Sequence, residues 1–245
     1  YHSALPVIFA KLLRKKSIIV IGGYEVSYFP EIGYGSRSNP LRFYLTKFSI
    51  KNANMNLPVS NFVETEMYKL FGEVNSIMVH NGVQISENSK LKNNREGFLT
   101  VAVCSDEQRY RLKGIDLYIA AATHFPDEKF IIVGGSKEFI LQKTSLPENV
   151  TIHPPLFSDE LSNYYSRAKY YCQFSMVESF GLAVVEAMSY GCIPIVVDRG
   201  ALKEVVDDYG IIIKQREIQD IVNGISSALM HRRSVLFTVL GHVRF

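Results

Sequence analysis

Two periods alternate along this chain. Short runs of β-branched and other apolar residues, bounded by glycine, proline or polar clusters, predict buried parallel strands. They fall at residues 17–21 (SIIVI), 57–59, 76–79, 98–103, 130–133, 149–152, 170–174, 193–197 and 211–213. Between them apolar residues recur every three or four positions and predict helices. The clearest stripes are Leu41, Tyr44, Leu45 and Phe48; Ile115, Tyr118, Ile119 and Ala122; Leu161, Tyr164, Tyr165 and Ala168; and Ile218, Ile221, Val222, Ile225 and Leu229. A further helix is expected at the start, with Val7, Leu12 and Leu13 among basic residues. Asn61 with Glu64 can form a capping box for a helix that stops at Gly72, and Ser158 can cap one with Asp159 and Glu160 in its first turn. Strands alternating with helices imply parallel sheets with right-handed crossovers, in which ligands bind outside the strand carboxyl ends.

Residues 87–96 are polar and without periodicity, which predicts an interdomain linker. The expected organisation is therefore a domain at 1–86, a linker at 87–97, a domain at 98–230 and a tail at 231–245 that has lost the pattern. Hydrophobic residues make up 47% of the 245, with 14 tyrosines and 15 phenylalanines, enough for a sizeable core and against disorder. The three cysteines, Cys104, Cys172 and Cys192, lack metal-ligand spacing and are expected to be reduced and buried, as in a cytoplasmic protein. The longest apolar run, over residues 4–20, is interrupted by Lys11, Arg14, Lys15 and Lys16 and does not predict a membrane span. Residues 1–100 carry 12 Lys and Arg against 7 Asp and Glu, whereas the remainder is slightly acidic. That asymmetry fits an anionic acceptor, peripheral contact with the inner face of a membrane, or plain solvated lysines. No basic stripe with interleaved aromatics appears, so no nucleic acid is expected as partner.

The chemistry concentrates in residues 175–194, SMVESFGLAVVEAMSYGCIP. If a helix starts at Gly181, the backbone N–H groups of Phe180, Gly181, Leu182 and Ala183 have no intrahelical partners, and the positive end of the dipole makes an anion site. Glu186 lies on the face of Leu182 and Ala183 and leans back toward that terminus. A carboxylate beside a phosphate is repelled, so Glu186 is expected to accept hydrogen bonds from ligand hydroxyls such as those of a ribose. Glu178 lies before the turn. Gly22 and Gly23, after the first strand, suit either a close backbone approach to a ligand or a tight turn.

Taken whole, Ser175, Glu178, Phe180-Gly181, Glu186-Ala187-Met188, Gly191 and Pro194 resemble the donor-site signature of GT4-type retaining glycosyltransferases, which have the GT-B fold. Asn81-Gly82-Val83, Lys113-Gly114-Ile115-Asp116, Ile131-Ile132-Val133-Gly134 and Phe157-Ser158-Asp159-Glu160-Leu161 look like landmarks of the same family, in the same order. The resemblance implies an α/β protein of two Rossmann-like domains with parallel sheets, the first of them incomplete, so that the chain is expected to be a fragment or a natural truncation. It implies transfer of a hexose from a nucleotide diphosphate sugar donor to a glycan or lipid-linked acceptor, with retention and without a metal or other cofactor. By that analogy Lys113 binds the donor diphosphate, Glu186 holds the ribose hydroxyls with Leu182 and Ala183 at the helix start, and Glu178, the catalytic position, contacts the transferred sugar with Ser179, Phe180 and Gly181. The family usually has a Gly-Arg pair where this chain has Cys104-Ser105, and Arg109 or Arg111 from the following loop would have to replace that arginine. A donor-binding module without turnover, needing a partner, is the competing expectation. A dehydrogenase is disfavoured because no G-x-G-x-x-G follows a strand.

Overall fold

The computed structural model describes residues 2–83 and 94–230. Of these described residues, those up to Asn81, together with Glu178–Phe180, form one compact unit, and the others form a second.

The first unit holds α1 (Ala4–Leu12), β1 (Ile18–Ile21), α2 (Pro40–Asn52), β2 (Met55–Pro58) and α3 (Asn61–Phe71). β1 and β2 pair in parallel, Ile18 opposite Met55 through Ile21 opposite Pro58. The core gathers Val7, Ile21, Ile50, Val63 and Met67, all buried. Residues 76–79, expected as a strand, run extended beside β2 with two bonds, Ile77 N to Asn56 O at 3.0 Å and Val79 N to Pro58 O at 2.9 Å. That is too little pairing for a ladder. The capping box also differs from expectation: Ser60 caps α3, its hydroxyl accepting from Val63 N, and Asn61 is the first helical residue. Several large apolar side chains of this unit are open to solvent. Leu5, Phe9 and Leu12 of α1 and the following Leu13 are exposed, as are Ile18 and Val20, the alternate positions of β1.

The second unit is a six-stranded parallel sheet. Its elements are β3 (Glu96–Cys104), α4 (Glu107–Lys113), α5 (Ile115–Ala122), β4 (Phe130–Gly135), α6 (Lys137–Lys143), β5 (Val150–His153), α7 (Ser158–Arg167), β6 (Ala168–Gln173), α8 (Leu182–Ser189), β7 (Ile193–Val197), α9 (Leu202–Val206), β8 (Ile211–Ile213) and α10 (Ile218–Met230). The strand order is β5-β4-β3-β6-β7-β8. Register aligns Phe98 with both Phe130 and Tyr170, and the three rings stack in a row across adjacent strands at 4.7 and 4.8 Å. The interior-facing positions of α10 are Ile221, Ile225 and Ala228. Asn149 ties the corner before β5, its amide nitrogen shared among the carbonyls of Ala122, Phe125 and Glu128 at 2.9–3.1 Å.

Three boundaries correct the sequence reading. Glu96 and Gly97, expected to close a linker, begin β3, with Glu96 opposite Ala168; the linker's residues 87–93 and the tail 231–245 lie outside the described residues. The stretch carrying Arg109 and Arg111 is the helix α4 rather than a loop. α7 begins at Ser158 with Phe157 in the cap position. The three cysteines are buried and free. Among the described residues no helix is long and apolar enough to cross a membrane.

Candidate functional site

In the second unit the chain runs from β3 outward through β4 and β5, then returns to β6 beside β3 and continues the other way through β7 and β8. The carboxyl ends of β3 and β6 therefore form the topological switch point, where a doubly wound sheet leaves a crevice. α4 follows β3, starts where Asp106 Oδ1 accepts from Arg109 N at 2.8 Å, and ends at Lys113. The segment after β6 is bonded to it, Met176 N donating to Leu112 O at 2.8 Å. Gly114 is left-handed at φ +70° and so close to Phe174 that a Cβ would lie 2.1 Å from its carbonyl oxygen. Arg216, from the loop after β8, completes the clamp: Nε donates to Phe174 O at 2.8 Å and Nη2 to Arg111 O at 2.9 Å, while Nη2 stands 3.8 Å from Asp116 Oδ1. Burial raises the Asp116 carboxyl above its ordinary range and lowers the Arg216 guanidinium, so desolvation outweighs their mutual attraction. A buried line of polar side chains, Tyr171 hydroxyl to Gln173 to Ser175, stiffens the strand end.

α8 begins at Leu182, one residue later than expected, with Gly181 as a left-handed cap at φ 91°. Val184 N and Val185 N bond Gly181 O, so the N–H groups of Leu182 and Ala183 have no intrahelical acceptor and face outward with the dipole. Glu186 lies one turn on. Its Oε2 accepts from the Tyr165 hydroxyl at 2.9 Å. Tyr165 is buried, and burial, aided by the charge of Glu186, pushes its phenol far above the ordinary value. Arg95 fastens the end of α7 to the turn after α8, donating to Tyr165 O at 2.8 Å, Ser166 O at 3.3 Å, Gly191 O and Cys192 Sγ.

Glu178, Ser179 and Phe180 pack with the first unit. Ser60 Oγ donates to Ser179 O at 2.6 Å, and the Phe180 ring lies 5.4 Å from that of His80. The two glycines after β1 divide the roles left open by the sequence. Gly23, at φ +108°, approaches Ser179 so closely that a Cβ would lie 1.6 Å from its Oγ, whereas around Gly22 nothing comes within 4 Å. Burial, with the charges of Glu178 and Glu25 adding to it, pushes the nearby Tyr34 phenol up to about 12.

The second unit thus brings Lys113 and the Leu182–Glu186 turn to neighbouring strand ends. Arg109 reaches back to Ser105 Oγ at 3.3 Å and Asp106 Oδ2 at 3.0 Å, placing its guanidinium over the position where the resemblance expects an arginine. Arg111 instead neighbours Asp116 and Arg216. Sequence reasoning missed Tyr165, Arg95 and Arg216 as site-supporting residues. Tyr165 was legible as part of a buried stripe, and nothing local marks the other two. Among the described residues no group of three or more His, Cys, Asp or Glu side chains is placed to hold a metal ion.

The phosphatidylinositol N-acetylglucosaminyltransferase gpi3 subunit of Schizosaccharomyces pombe is 30% identical over 141 residues, 54% of this chain and 30% of the relative. The D-inositol 3-phosphate glycosyltransferase of Mycobacteroides abscessus is 27% identical over 133 residues, 49% of this chain and again 30% of the relative. The chain thus matches under a third of the length of these relatives. Among solved structures, sucrose-phosphate synthase from Thermosynechococcus elongatus superposes with a TM-score of 0.76 at 20% identity, over 97% of this chain and 65% of that one. Anabaena HepE, in complex with UDP-glucose, gives 0.74 at 16% identity, over 96% and 68%. These neighbours share the GT-B architecture of parallel α/β sheets. The family described as Glycosyl transferases group 1 matches residues 86–234, and the chain belongs to that family.

Proposed function

We propose that this chain binds a nucleotide diphosphate sugar and takes part in moving its hexose, with retention, to a glycan or lipid-linked acceptor. The observation that carries the reading is the switch point itself: the end of α4, which carries Lys113, is bonded through Leu112, Gly114 and Arg216 to Phe174 and Met176 after β6, the strand that leads on to α8. A cation and outward N–H groups at that place suit a diphosphate whose negative charge grows as it leaves. Arg109, over Ser105, adds a second cation. In this scheme no divalent metal is needed. Glu186 accepts from the ribose hydroxyls, and Glu178 with Ser179, Phe180 and Gly181 contacts the transferred sugar. Gly22 leaves room for backbone approach by a ligand. HepE was solved with UDP-glucose, so uridine diphosphate sugars are the first donors to try.

Calorimetric titration against uridine, guanosine and adenosine diphosphates and their hexose conjugates, with chelator present, tests the proposal. One nucleotide diphosphate is expected to bind under chelation. Glu186→Ala should weaken it about tenfold or more, whereas Glu178→Ala should leave nucleotide affinity near wild type and lower transfer. No binding by any of the three, or equal losses in the two variants, would refute the assignment.

A further inference from the structure

The contact between Tyr165 and Glu186 joins a fully buried donor to the side chain given the ribose above. Tyr165 is 2% exposed, and its ring stacks on that of Tyr190 with centroids 5.7 Å apart. Its carbonyl is fixed by Arg95 at 2.8 Å and lies 3.2 Å from Cys192 Sγ. The phenol therefore has one place to be, and from there it donates to Glu186 Oε2 at 2.9 Å. The buried phenol stays protonated at any working pH, so it remains a donor. A glutamate on a helix face otherwise samples several rotamers, and ordering it on binding weakens recognition. With Oε2 held, Oε1 accepts nothing from the described residues.

Resting on the reading of Glu186 as the ribose acceptor, we propose that Tyr165 is a positioning residue for donor recognition, holding the Glu186 carboxylate in one rotamer with Oε1 presented to the paired ribose hydroxyls. It touches no substrate. Its role is to make the carboxylate ready before the ligand arrives, as a supporting hydrogen bond does for a binding group.

Tyr165→Phe removes one oxygen and keeps the ring. The probes are the nucleoside diphosphate that the wild type binds most tightly and its 2′,3′-dideoxy counterpart. Affinity of Tyr165→Phe for the ribonucleotide should fall about tenfold, the order expected when a glutamate must be ordered from several rotamers, while affinity for the dideoxy nucleotide is unchanged. In a Glu186→Ala background the same substitution should change neither. Protection of the Cys192 thiol from alkylation reports that the surrounding structure is intact. Unchanged ribonucleotide affinity in Tyr165→Phe, equal loss for both nucleotides, or full additivity with Glu186→Ala would overturn the proposal. If Glu186→Ala itself fails to reduce discrimination between the two nucleotides, the ribose reading fails and this proposal with it; a loss in Glu186→Ala without one in Tyr165→Phe sinks the proposal alone.

Discussion

Gly114 shows how narrowly Lys113 is held. At φ +70° an L side chain costs about 1–2 kcal/mol, and here its Cβ would also collide with the Phe174 carbonyl. Gly114→Ala is therefore expected to lower stability by about 2 kcal/mol or more in chemical denaturation. Lys113→Ala should reduce nucleotide diphosphate affinity about tenfold in calorimetric titration, the scale of one charge-assisted hydrogen bond. Asp116 makes a pH prediction. Its carboxyl is raised by burial, so its favourable contribution to stability is complete below the unfolded value near 3.8 and is lost as pH rises through the folded value. Asp116→Asn, which mimics the protonated form, should match wild type near pH 3–4 and exceed it progressively toward neutrality. Denaturation midpoints across that range decide it, and a constant offset would be the contrary result. At this scale the sequence made Lys113, Gly181 and Glu186 legible, because they stand close together in a string or in a short landmark. Their supports were hidden because the bonds span long separations: 21 residues for Tyr165 to Glu186, 96 for Arg95 to Gly191 and 105 for Arg216 to Arg111. One sequence carries no signal for pairing at such distances.

Strands of the second unit were readable because buried parallel strands are short continuous apolar runs, and all six appear within a residue or two of expectation. α4 and α6 were not, since each has seven residues and few buried positions: Tyr110 and Leu112 in one, Ile140 in the other. Their cap signals were present, Asp106 and Ser136, but a cap without a stripe predicts a turn as readily as a helix. At α3 both Ser60 and Asn61 are good caps, and the additional bond from Ser60 to Ser179 O accompanies the choice of the former. Arg95 decides the pairing of α7 with the turn after α8. Arg95→Ala removes donors to three buried or half-buried carbonyls and should cost about 2–4 kcal/mol. Hydrogen exchange should locate the loss at Tyr165–Arg167 and Gly191–Cys192. Exchange that accelerates evenly over the unit would argue against a local clamp.

Across the whole molecule, the first unit leaves Leu5, Phe9, Leu12, Leu13, Ile18 and Val20 exposed to solvent. Exposed apolar side chains in such number favour association. Purified chain is expected to bind an apolar fluorescent dye and to self-associate with rising concentration. Leu12→Lys with Val20→Thr should reduce both without lowering the melting temperature, because neither side chain is buried. Dye binding and sedimentation unchanged in that variant would mean these side chains are covered in solution. The corner built by Asn149 has a different consequence, for where the protein can be made. Asn149-Val150-Thr151 has the form of an acceptor for an N-linked oligosaccharide. Its amide nitrogen is already divided among three main-chain carbonyls, so a sugar attached there would displace the bonds that join the end of α5 to β5. Such a sugar replaces one of the two hydrogens that serve these carbonyls, so a copy modified at this residue would hold the corner less firmly than an unmodified one.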